Sequence, residues 1–122
     1  MLGGGAGARA AAADLALNGW RVRMWELPRF GDNVKALMQE PRLTVTGVEE
    51  GEVQLDSIGV DLAQACEGAD VILVVTQALG HAEIAELLAE VVTDEQIVLV
   101  NPGSTGGALE FAQILREKRG SA

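Results

Sequence analysis

Two runs composed wholly of apolar residues, 71–75 and 97–100, are rich in Val, Ile and Leu, too short for helices and bounded by turn residues. Such runs predict strands buried on both faces of a sheet. After each of them the period changes. Ile84, Leu87, Leu88 and Val91 recur at i, i+3, i+4 and i+7, as do Ala108, Phe111, Ala112 and Leu115, so both segments predict helices with one apolar stripe. A shorter helix is marked by Asp61 with Gln64 three residues on, a capping arrangement, and by Gly68 at its far end. Upstream, an alanine-rich helix runs from about Ala6 through Leu17 and stops at Asn18 and Gly19. A strand over residues 21–25 follows it, with Val22 and Met24 on one face. Strand and helix in alternation need crossover connections, and crossovers give a mostly parallel, doubly wound sheet with helices on both faces: the α/β class. One stretch departs from this plan. Residues 43–47 and 52–57 alternate apolar with polar around a break at 48–51, which predicts a small inserted hairpin.

Composition narrows the picture without changing it. The 122 residues suit one domain, and 48% hydrophobic against 22% charged residues is enough to bury a core. The longest apolar runs fall far short of the roughly 20 residues a membrane-spanning helix needs, so no membrane partner is expected. The glycine-rich start has no basic region leading into an apolar one, unlike a secretory signal. The single cysteine, Cys66, excludes an intramolecular disulfide and agrees with a cytoplasmic location. A net charge of −9 would repel a phosphate backbone over most of the surface, so nucleic acid is not an expected partner. A pyrophosphate is different, because backbone amides at a helix N-terminus bind it without net positive charge.

The beginning of the chain offers such amides. Gly3, Gly5 and Ala8 satisfy G-x-G-x-x-A, in which the first glycine makes a tight turn, the second leaves room for the pyrophosphate and the alanine lets the helix approach the sheet. A second register, Gly5, Gly7 and Ala10, fits the same pattern. About 20 residues further on, Glu26 closes the strand at 21–25, where the carboxylate that binds the adenosine ribose is expected. A carboxylate there favours NAD over NADP, and the nearby Arg29 and Arg9 leave NADP open.

Two loops follow the apolar strands, at the sheet edge where open α/β folds bind ligands. In the first, Thr76 and Gln77 offer neutral hydrogen bonds, and His81 is either a proton carrier or the first-turn residue of the next helix. In the second, Asn101 and Pro102 open a turn rich in Gly, Ser and Thr. One His and one Cys are too few for the usual zinc sites, so no metal is expected.

The run GGGAGARAAAADLALNGWRVRMWELPRF, the stretch EGADVILVVTQALGHAEIAELL and the phrase IVLVNPGSTGGALEF together resemble the N-terminal dinucleotide-binding (Rossmann) domain of the octopine/nopaline (opine) dehydrogenase family. The resemblance covers nearly the whole chain. It implies an oxidoreductase that condenses an amino acid with a 2-oxo acid using NADH or NADPH, by hydride transfer to an imine carbon. It implies further that Gly3, Gly5, Ala8 and Glu26 bind the cofactor, while Thr76, Gln77, Asn101 and Pro102 line its nicotinamide side. The family continues into a helical C-terminal domain that supplies the main catalytic histidine. Residues 1–122 are therefore expected to be the cofactor domain alone, inactive by itself. The first strand is expected to be truncated to Met1 and Leu2, leaving its neighbours with exposed backbone groups and the chain prone to self-association. A nucleotide-sensing regulatory module, or a cofactor domain like those of glycerol-3-phosphate dehydrogenase or ketopantoate reductase, are the rival readings.

Overall fold

The computed structural model describes residues 1–120. In chain order the elements are α1 (Ala6–Leu17), β1 (Arg23–Trp25), α2 (Lys35–Gln39), β2 (Arg42–Val45), β3 (Gly51–Gln54), β4 (Ser57–Gly59), α3 (Leu62–Cys66), β5 (Val71–Val74), α4 (His81–Leu88), β6 (Ile97–Val100) and α5 (Gly107–Arg119). Short 3-10 segments at Pro28–Asn33 and Ala78–Gly80 lead into α2 and α4. Three local signals act as the sequence suggests. Gly19 and Gly68 take left-handed conformations after α1 and α3, and the Asp61 carboxylate accepts a hydrogen bond from the Gln64 amide at 3.1 Å.

β1 pairs with β4 and β5 with β6, all parallel, and Leu2 bridges the two pairs by parallel contacts with Trp25 and Val74. The order across the sheet is therefore β4, β1, Leu2, β5, β6, with the direction of winding reversing at the centre. Met1 and Leu2 fill that centre better than expected. The Leu2 amide donates to Leu73 O at 2.7 Å and the Val75 amide to Leu2 O at 2.9 Å; the Trp25 amide donates to Met1 O at 2.9 Å and the Gly3 amide to Trp25 O at 2.8 Å. Two residues thus close the ladder where it meets the glycine loop, and the expected exposure of backbone groups is not found there.

Each face of the sheet carries its own core. Ala8 and Ala12 of α1 pack with Val22, Met24, Ile58 and Leu55 on one side. On the other, Ile84 and Leu88 of α4 and Phe111 of α5 cover Leu2, Ile72 and Val74.

Several expectations need correction. β5 and β6 are buried on one face only: Ile97 and Leu99 are 64% and 54% exposed, because α3, α4 and α5 all pack on the opposite side. The hairpin is present as antiparallel β2 and β3, lying against α1, yet its second arm ends at Gln54. Ser57 belongs instead to β4, which joins the parallel sheet beside β1. The strand at 21–25 is ordered as β only from Arg23. On α4 the buried residues are His81, Ile84, Ala85 and Leu88, with Leu87 turned outward and Val92 completing the stripe beyond the helix end. On α5 Ala108 is exposed, and Phe111, Ile114 and Leu115 face the core.

Candidate functional site

Where the winding reverses, the carboxyl ends of β1, Leu2 and β5 open onto a crevice of about 760 Å³. Open α/β sheets bind ligands at this switch point. The glycine loop forms one wall. Gly3 has φ +123°, and a Cβ there would lie 2.3 Å from the Val75 carbonyl oxygen, so only glycine makes this turn. A Cβ on Gly4 would fall 2.6 Å from Glu26 Oε2 and 2.9 Å from Val34 Cγ1. Gly5 is extended, and a Cβ there would meet no atom within 4 Å: it faces the open crevice. Ala8 is buried against the sheet, whereas Ala10 is exposed. Tight turn, open approach and close packing thus fall on Gly3, Gly5 and Ala8, and the second register fails at Ala10. α1 begins at this loop with no side-chain cap and no acidic residue in its first turn, so its leading amides are free for an anion.

Opposite the loop stands Glu26. It is 8% exposed, its Oε1 accepts the Leu27 amide at 2.8 Å, and its Oε2 lies against Gly4. Two arginines flank it. Arg9 donates through Nε to Gly4 O at 2.9 Å and through Nη2 to Asn33 O at 2.7 Å, tying the loop to the turn before α2. Arg29 lies 4.8 Å over the Phe30 ring and is ion-paired with Glu83 of α4. The hydrogen bond the guanidinium donates to that carboxylate, and the carboxylate's charge, push the Arg29 pKa further above its ordinary range.

Thr76, Gln77 and Pro102 complete the lining. Asn101 does not line it; its amide donates to Val74 O at 2.9 Å and so prolongs the β5–β6 ladder. His81 opens α4 but turns away from the crevice. It is 1% exposed, edge-on to Phe111, with neither ring nitrogen hydrogen-bonded. Ile84, expected only in the apolar stripe of its helix, also faces the crevice, as do Phe30, Asn33 and Leu79, which were not singled out from the sequence. No motif carries these three; they lie in the segments that follow β1 and β5. Among the described residues no three His, Cys, Asp or Glu side chains gather as metal ligands, and no helix is long and apolar enough to cross a membrane.

A parallel sheet wound both ways, with a glycine turn and a buried acid facing each other at its switch point, defines an α/β domain of the dinucleotide-binding kind. No family model matches the chain. Over 118 residues, 96% of its length, it is 39% identical to an opine dehydrogenase of Arthrobacter sp. (strain 1C). The structure also matches octopine dehydrogenase solved with NADH and agmatine, at TM-score 0.79 and 25% identity over 97% of the chain. A second structure of octopine dehydrogenase, with NADH and pyruvate, matches at 0.78 and 27% over 98%. In sequence and in structure the chain is thus similar to part of the opine dehydrogenases. It spans about a third of the relatives it matches, 32% of the Arthrobacter enzyme and 31% of the octopine dehydrogenase chain.

Proposed function

We propose that this chain holds NADH for an opine dehydrogenase-type reaction. The carrying observation is the pairing, across one crevice, of an uncapped helix N-terminus whose Gly5 faces open space with the buried carboxylate of Glu26. Gly3, Gly5 and Ala8 form the pyrophosphate cradle, and Glu26 accepts the adenosine ribose hydroxyls. Thr76, Gln77 and Pro102, which line the crevice, border the nicotinamide. The bound cofactor supplies hydride; the residues of this chain bind it, orient it and shield one of its faces. By analogy with relatives solved with pyruvate, arginine or agmatine, the substrates are an amino acid or amine and a 2-oxo acid.

Glu26 and Arg29 are the only titratable side chains bordering the crevice among the described residues, and both are engaged. Proton transfer to substrate thus falls to groups outside these residues, and the chain alone is expected to bind NADH without turning it over. We extend the proposal to a cytoplasmic location, in keeping with free, buried Cys66. It extends also to self-association through the bare apolar face of Ile97 and Leu99 beside the unpaired edge of β6. Light scattering showing only monomer at high concentration would remove that last part.

Calorimetric titration tests the main reading. NADH should bind the wild-type chain, and Gly5→Val should weaken it by about tenfold or more, a loss of roughly 1.4 kcal/mol. Because Gly5 is extended and borders open space, the variant should melt close to wild type. Undiminished NADH affinity in that variant, or no binding by wild type, contradicts the proposal.

A further inference from the structure

A 2′-phosphate on the adenosine ribose would bring a charge of about −1.5 to −2 next to the Glu26 carboxylate, and a cation must offset it. Arg29 is the only basic side chain bordering the crevice among the described residues. It is not free. Its guanidinium is drawn to Glu83 in the first turn of α4, over the Phe30 ring. Glu83 itself borders not the crevice but an apolar groove of about 420 Å³ on the far side of Arg29, walled by Trp25, Leu62 and Val91. The pair therefore pulls the cation to the divide between the two cavities. Arg9, the other arginine near Glu26, is held by the Gly4 and Asn33 carbonyls.

We propose that Glu83 sets the cofactor preference: by holding Arg29 it withholds the cation a 2′-phosphate requires, and Glu26 then rejects NADP. This rests on the NADH reading given above. Both partners of the pair are solvent-accessible, at 55% and 40%, so the fold depends on it little and its breakage is readable as selectivity rather than as unfolding. Glu83 sits in the first turn of α4, where the helix N-terminus favours negative charge. Glu26 attracts the same guanidinium, so a freed Arg29 swings toward the ribose site and not away from it.

The test is calorimetric titration of NADH and NADPH into wild type, Glu83→Gln, Arg29→Gln and the double variant, with melting temperatures recorded for each. Wild type should prefer NADH. Glu83→Gln should tighten NADPH by about 3- to 10-fold, with NADH changed less than about twofold and the melting temperature preserved. Adding Arg29→Gln should erase the gain. An unchanged NADPH-to-NADH ratio in Glu83→Gln overturns the proposal, as does a gain that persists without Arg29. If wild type binds neither dinucleotide, the NADH reading falls too; if it binds NADH and the ratio stays fixed, only the role of Glu83 falls.

Discussion

Gly3 and Gly5 stand two residues apart and differ in what a side chain would cost. At Gly3 both the backbone angle and the Val75 carbonyl exclude a Cβ. Gly3→Ala is expected to destabilise the chain by about 2 to 3 kcal/mol, whereas Gly5→Ala should change stability by less than about 1. Urea denaturation of the two variants checks this, and equal midpoints would place the tight turn elsewhere. The places of Gly3, Gly5 and Glu26 around the crevice were legible because they follow from spacing within one short segment. The partner of Arg29 was not: Glu83 lies 54 residues away, and no local rule connects them. His81 is a like case. Only the packing of α5 decides that its ring is enclosed beside Phe111 rather than turned to the crevice.

At the scale of elements, helix ends were read well because a cap is a contact within a few residues, as with Asp61 and Gln64. β4 was missed because it has a single apolar side chain, Ile58, and exists through its pairing with β1. β6 was misread for the opposite reason. When every position is apolar, no alternation tells a strand covered on one side from one covered on both. The central segment carries a prediction of its own. The Met1 amine donates to Arg23 O at 2.8 Å inside the sheet, and burial lowers its pKa from 8.0 to about 6. Between these values the unfolded chain binds the proton and the folded chain does not, so stability rises with pH across this window. The contribution is complete above pH 8.0 and lost as pH falls through about 6, a change of about 2 to 3 kcal/mol. Urea denaturation at about pH 5.5 and 8.5 should show it, and acetylation of the amine should abolish it. A pH-independent difference between acetylated and free chains would contradict the assignment.

For the whole molecule, the class of fold was legible because strand and helix periods alternate and parallel strands need crossovers. The geometry that makes a site of it was less so. The crevice arises where winding reverses at Leu2, a position set by contacts with Trp25 and Val74, far apart in sequence. In the proposed complex one dinucleotide lies across that reversal, pyrophosphate on the start of α1 and ribose on Glu26. Amide chemical-shift mapping on addition of NADH tests it most directly. The largest changes are predicted for Gly3 to Ala8, Glu26, Thr76 and Gln77, with Gln64, Glu90 and the β2–β3 hairpin unmoved. Changes centred instead on the groove between α3 and α4, or no changes at saturating NADH, would contradict it.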